Sequence, residues 1–267
     1  AITLREFLSS DLGVDMRSKS DSQMGLAIIK RRVEDVLGKR VEKAKVVAGS
    51  TFRYAAPKYI KFTSQHLNEM LSKLQSHDFV VGFDGKVTLP DWLSERPVKI
   101  GPTDFRMGIG GLHTTESNRS VKSSDSHVIV SGDVASYYPA IILSLGLYPQ
   151  ATGPAFLTAY AGIREDRLKA KKAKDKVRDK GFKIALNGGG FGNLGSPHSI
   201  TFAPHLLIAV TLTGQLALLM LIERAYLNGI VTVSANTDGA EFWCPRAFYA
   251  GIDGIRLKDS LLSRIVE

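Results

Sequence analysis

The sequence predicts an α+β protein, an antiparallel sheet backed by helices, together with a separate helical segment rich in positive charge. Three observations carry that expectation. Two β-branched runs, HVIVSGD at 127–133 and GIVTVSANTDGAEFW at 229–243, end on or turn around an acidic residue. Residues 163–183 crowd Arg and Lys onto a helical stretch with few apolar anchors. From His205 to Ile222 no residue is charged at neutral pH, a run suited to one long apolar helix.

Residues 21–46 read as a charged helix with Met24, Ile28, Val33 and Leu37 among many basic residues. A second helix starts near Thr63 or Ser64, either of which can cap it. Its Leu67, Met70, Leu71 and Leu74 follow the i, i+3, i+4, i+7 spacing of one buried face. After Phe79, the residues Gly82, Gly85, Pro90, Pro97, Gly101 and Pro102 punctuate short strands and turns. GIGGLH at 108–113 needs tight backbone turns, and TTESNRSVKSSDS at 114–126 reads as a polar hairpin or loop. The run at 127–133 is a strand delivering Asp133 to its C-terminal edge. The uncharged run after 203 has the length of a membrane span. Thr211, Thr213, Gly214 and Gln215 interrupt its middle, so it reads as a buried core helix and no membrane partner is expected.

At 267 residues the chain can form one large domain or two moderate ones, and 44% hydrophobic with 23% charged residues is ordinary for a globular protein. The net charge of +9 favours polyanions, although membrane surfaces and acidic proteins fit it equally. A single cysteine, Cys244, excludes an internal disulfide and a cysteine-based zinc site, which suits a reducing cytosol. The N-terminus lacks the basic start and apolar run of a signal peptide, and no G-x-x-x-x-G-K-[ST] loop is present.

Chemistry clusters in three motifs. DVASYYPAII from Asp133 joins a strand-edge acid to a turn and an apolar helix start. Backbone N–H groups at Ser136 and Tyr137 and the helix dipole can cradle phosphates there; the plainer reading makes Asp133 a helix N-cap. KIALNGGGFGNLGSP from Lys183 sets Lys183 and Asn187 four apart on one helix face. Gly188, Gly189 and Gly190 remove the bulk that would keep a base pair or backbone away, or they form a helix C-cap and loop. SANTDGAEF from Ser234 reads as a hairpin with Asp238 near its tip, or as an ordinary Asn/Asp/Gly turn.

In this order the motifs resemble motifs A, B and C of family B DNA polymerases, D-x-x-S-L-Y-P, K-x-x-x-N-S-x-Y-G and D-T-D-S. The likeness is to tailed-bacteriophage members, where N-G-x-F-G and A-N-T-D-G variants occur. The resemblance spans Asp133 to Glu241 and extends back to GIGGLH. It implies a polymerase palm with helical fingers: a region at 1–125 leading into the palm, palm with motif A at 126–160, fingers with motif B at 161–200, and palm with motif C at 201–267. Asp133 and Asp238 match the catalytic, metal-binding aspartates, for two Mg²⁺ ions with Mn²⁺ as an alternative. Ser136 and Tyr137 match positions whose backbone touches the triphosphate, and Tyr138 matches the steric gate under the sugar. Lys183 and Asn187 match fingers residues facing the incoming nucleotide, and Arg167 and Lys171 join them by spacing. The implied partners are primer–template DNA and deoxynucleoside triphosphates, in the cytoplasm, that of the host if the gene is a phage's.

Several positions depart from the family pattern. Asn236 replaces the first Asp of D-T-D-S, Tyr137 replaces Leu, Gly239 replaces Ser, and motif B carries one glycine more than N-G-x-F-G. Glu241, two residues past Gly239 on a strand, is expected to face away from the metals. No Asp-x-Glu opens a proofreading exonuclease, and about two dozen residues follow motif C, so a catalytic fragment without exonuclease or full thumb is expected. Two other readings stand beside it: an inactive nucleic-acid-binding module of polymerase ancestry, and another palm enzyme such as a reverse transcriptase.

Overall fold

The structure, a computed structural model, describes residues 2–115 and 119–246. Along the chain run α1 (Ile2–Leu12), α2 (Asp21–Leu37), β1 (Thr51–Arg53), α3 (Gln65–Ser76), β2 (Asp78–Val80), α4 (Asp91–Ser94) and β3 (Val98–Ile100). Next come β4 (Thr103–Gly108), β5 (Gly111–Thr114), β6 (His127–Asp133), α5 (Tyr137–Ser144), α6 (Ala155–Lys172) and α7 (Lys176–Ile184). A π-helical turn (Ala185–Phe191) and a 3-10 turn (Gly192–Gly195) continue α7, before α8 (Pro204–Leu227), β7 (Val231–Asn236) and β8 (Gly239–Pro245). The class is α+β, with β1 and β2 in a small sheet and the other six strands in a larger one.

The chain forms two compact units that interleave in sequence. The first takes the chain up to Phe52, Val80–Val87 and Tyr138–Val210; the second takes Arg53–Phe79, Thr88–Tyr137 and the chain from Thr211. Asp133 and Asp238 belong to the second unit; Tyr138, Arg167, Lys171, Lys183 and Asn187 belong to the first.

In the second unit the larger sheet has strand order β3-β4-β5-β7-β8-β6, with every neighbour antiparallel. Strand alternation sends Phe105, Met107, Leu112, Ala235, Ala240, Phe242 and Cys244 into the core. Hydrogen bonds hold the middle of α8 in this unit. Gln215 bonds both the N–H and the carbonyl of Gly108 at 2.9 Å, Tyr137 Oη donates to the Gly214 carbonyl at 2.6 Å, and Tyr54 Oη pairs with Thr213 Oγ1 at 2.9 Å. α8 is long and apolar enough to cross a membrane, and 78% of its most apolar stretch is buried inside the fold, as a core helix requires. Tyr137 is itself buried, and its hydroxyl has an acceptor there.

Glu223, on the same helix, is buried to 2% exposure. It accepts from the N–H groups of Thr63 and Ser64 at 2.9 and 2.7 Å and from the Ser64 hydroxyl. The start of α3 is thus capped by a carboxylate from a distant helix, while Ser64, its N-cap, makes no side-chain capping bond.

In the first unit α2 lies against the π-helical turn. A Cβ at Gly189 would stand 2.2 Å from the Gly25 carbonyl oxygen, and one at Gly25 2.6 Å from the Ile184 carbonyl oxygen, so the two backbones touch where neither residue carries a side chain. α6 joins α2 through Arg32 and Asp166 at 2.7 Å. Buried Tyr160 donates to the Leu186 carbonyl at 2.7 Å, and burial pushes its phenol well above the usual range.

Three sequence expectations change. The helix from residue 21 ends at Leu37 because Gly38 turns left-handed at φ 67°, and its start carries a Ser20–Gln23 capping box. The basic stretch at 163–183 is two helices, since Lys174 adopts φ 57° and Asp175 caps α7 by accepting from Val177 and Arg178 N–H groups. The glycine-rich part of motif B is a π-helical turn rather than a C-cap and loop.

The Glu223 cap generates the first prediction. Glu223→Ala should cost about 2–4 kcal/mol by stranding its donors, and Glu223→Gln less. Urea denaturation followed by circular dichroism measures it; an Ala variant within about 0.5 kcal/mol of the parent contradicts the cap.

Candidate active site

β6 and β8 pair in a register that sets Asp133 opposite Gly239, and the next residue, Val134, donates its N–H to the Asp238 carbonyl at 2.9 Å. Two aspartates 105 positions apart in sequence (238 − 133) are therefore lateral neighbours at one end of the sheet. The Asp133 Oδ1 lies 3.0 Å from where a Gly239 Cβ would be, and the Gly132 carbonyl oxygen 3.1 Å from it. The missing side chain at Gly239 is what lets the Asp133 carboxylate lie over the strand. An open cleft of about 580 Å³ runs along this face, lined by Asp133, Asp238, Asn236, Ser131, Ser234 and Glu241 among others.

The tip holding Asp238 is strained. Asp238 donates its N–H to the Asn236 carbonyl at 2.7 Å, closing a three-residue turn around Thr237, whose φ is 57°. A β-branched residue at positive φ is costly, and such turns are rare. Two contacts compensate: Thr237 N–H donates to the Leu112 carbonyl at 2.8 Å, and Gly111, at φ 142°, has no Cβ to strike the Thr237 backbone, which would lie 3.0 Å from it. Here the GIGGLH segment has a physical role, since its last glycine supports the acidic tip. Asn236 pairs with Gly239 and with His113, and its Oδ1 accepts from the Thr237 hydroxyl at 3.0 Å.

Glu241 corrects the expectation that it faces away. It lies opposite Ser131 on β6 and Ser234 on β7, and the two-residue period of a strand returns it to the face that carries Asp133. It sits about 7 Å further along the strands. Among the described residues no three His, Cys, Asp or Glu side chains gather as a metal cluster.

The donor set suits Mg²⁺, which binds through one or two carboxylates and keeps waters and substrate phosphates as its remaining ligands. Asp133 and Asp238 would supply those carboxylates.

The turn after Asp133 passes through Ser136, at φ 56°, into α5. Since α5 begins at Tyr137, its N-cap position is Ser136 and not Asp133. In the first unit, Tyr138 stacks on Phe191 with ring centroids 4.2 Å apart and planes at 23°. Phe191 is a residue the motif reading quoted but gave no role; its place after GGG was the available signal. Asn193 lies in the same quoted motif and was likewise given no role: buried, it donates to the Gly188 carbonyl at 2.6 Å and to Ser22 Oγ at 3.2 Å.

Lys183 and Asn187 are both exposed, one on the last turn of α7 and the other in the π-helical turn. Lys171 is exposed on α6. Arg167 differs, for its side chain is only 12% exposed and its Nε donates to Asp179 Oδ1 at 2.9 Å, holding α6 to α7. The glycines have separate duties: Gly189 meets the Gly25 backbone, and a Cβ on Gly190 would stand 2.2 Å from the Tyr160 ring. The close approach they permit is made by the protein's own backbone and an aromatic ring.

No protein-family model matches the sequence, and no curated protein matches it.

The register at Gly239 generates the second prediction. Gly239→Ser would push a Cβ against Asp133 Oδ1 and the Gly132 carbonyl. It should destabilise the fold by about 1 kcal/mol, read by urea denaturation. A serine variant as stable as the parent would show that the strand ends are not held this tightly.

Proposed function

We propose that the chain is the palm-and-fingers portion of a family B DNA polymerase of the tailed-bacteriophage type, extending a primer 3′-hydroxyl with deoxynucleotides. In this reading the six-stranded sheet is the palm and the helices of the first unit are the fingers. The observation that carries it is the side-by-side placement of Asp133 and Asp238 at the ends of paired strands, in an open cleft. The order of the three motifs supports it independently.

In the reaction the 3′-hydroxyl oxygen bonds the α-phosphorus of the incoming triphosphate. The bond from that phosphorus to the bridging oxygen of the leaving pyrophosphate breaks, and the hydroxyl proton passes to solvent. Mg²⁺, when bound, supplies Lewis-acid stabilisation of the phosphoryl charge. Asp133 and Asp238 hold hard oxygen donors in fixed positions, which lowers the cost of reorganisation during transfer. Lys183 provides a compact positive charge for the triphosphate. Tyr138, its ring seated on Phe191, presents a fixed surface that suits exclusion of a ribose 2′-hydroxyl.

Asn236 favours a second reading, a nucleic-acid-binding module without catalysis, because one carboxylate of the family motif is absent and the amide oxygen is engaged by Thr237. Single-nucleotide primer extension at saturating Mg²⁺ separates the two. Asp133→Ala and Asp238→Ala should abolish transfer with duplex binding nearly intact, Asn236→Ala should cost far less, and Asn236→Asp should be tolerated. A parent chain that binds primer–template but never extends it, alone or within a longer gene product, favours the inactive module. If Asn236→Ala is as dead as Asp238→Ala while folded, the proposed division of labour at the hairpin is wrong.

A further inference from the structure

We propose that the groove between α3, α4 and β3 is a binding site for single-stranded nucleic acid, a role that does not depend on the catalytic reading above. The groove lies wholly within the second unit and encloses about 440 Å³. Three exposed cations, Lys73, Arg96 and Lys99, line it against one exposed carboxylate, Glu69. Trp92 is half-buried in its wall, beside Met70.

The indole is held in place. It sits on a short helix that follows Pro90, with Leu93 N–H donating to the Pro90 carbonyl at 2.9 Å. The His77 ring meets it edge-on at 6.5 Å and 81°, and His77 in turn meets Phe79 edge-on at 4.8 Å. Lys73 Nζ lies over the indole ring, 4.1 Å from its centroid, so the ammonium covers that face. Lysine is flexible, and a phosphate entering the groove draws the ammonium off the ring. The uncovered indole face is then open to the base beside that phosphate.

Charge and shape together select the ligand. The excess of cations fits a polyanion, in line with the net charge of +9 for the whole chain. A duplex hides the faces of its bases inside the stack, so an aromatic wall serves a single strand. An acidic peptide would satisfy the cations and leave the indole without a planar partner.

The chain contains two tryptophans, Trp92 and Trp243, so Trp243→Phe leaves Trp92 as the only indole emitter. Titration of that protein with a single-stranded oligothymidylate of about ten nucleotides should quench the fluorescence saturably, with affinity falling as salt rises. Lys73→Glu, Arg96→Glu and Lys99→Glu combined should weaken binding at least about tenfold with the far-ultraviolet circular dichroism unchanged. The proposal is overturned if the oligonucleotide leaves Trp92 emission unaltered, or if the charge reversals leave the affinity intact. It is also overturned if polyglutamate or phosphatidylserine vesicles bind the groove more tightly than the oligonucleotide does. Should the triple variant not fold, ultraviolet crosslinking of the parent decides: the crosslinked peptide contains Trp92 if the proposal holds and lies elsewhere if it does not.

Discussion

Antiparallel pairing of β6 with β8 is the constraint on which the candidate site depends, because the backbone ladder alone fixes the lateral distance between the two segments that carry Asp133 and Asp238. Residues so far apart in sequence stay neighbours only where the scaffold between them is stiff. Here the stiffness comes from the ladder, from the Val134–Asp238 backbone bond, and from the absence of a side chain at Gly239. The positive φ at Thr237 is a cost, offset by the Leu112 carbonyl and by the bare surface of Gly111. Buried contacts from α8 to Gly108 and Tyr137 lock the surrounding strands and turn from below. The cost of the strained tip is thus carried by packing elsewhere in the same unit.

The first unit shows the same economy of bulk. A π-helical turn closes its hydrogen bonds over five residues rather than four, and here it carries the three consecutive glycines, with Lys183 before it and Phe191 at its end. Gly25 of α2 and Gly189 of the turn then permit backbone contact, and Gly190 admits the Tyr160 ring. Lys183 and Asn187 remain exposed while the other side of the same segment is buried.

Much of this was legible in the sequence because the signals were strong and local. The β-branched runs before Asp133 and Asp238 became β6 and β7, and the uncharged run became α8, since long or alternating apolar patterns are seldom overridden by context. Other features were written in the chain and went unread. Gly38 is a helix stop, Ser20 and Gln23 form a capping box, and Leu4 with Leu8 marks a buried face of α1. Strand period two places Glu241 on the face of Gly239 without any need of coordinates. What could not be read locally depends on distant partners. Glu223 gives no hint that it caps α3 across some 160 residues of chain, nor does a left-handed Lys174 announce a helix break. The pairing of Gly25 with Gly189, and the commitment of Arg167 to Asp179, exist only once the helices pack.

On the proposed function, Asp133 and Asp238 would hold one shared metal site. Iron-mediated cleavage tests it without requiring activity: Fe²⁺ replaces Mg²⁺, ascorbate and peroxide generate hydroxyl radicals at the ion, and the backbone is cut wherever it is close. The account predicts cuts in one reaction both near Asp133 and near Asp238, suppressed together by excess Mg²⁺ and lost together in Asp133→Asn. Cutting at only one of the two segments, or cutting at both that persists when Asp133 is replaced, would contradict a shared site.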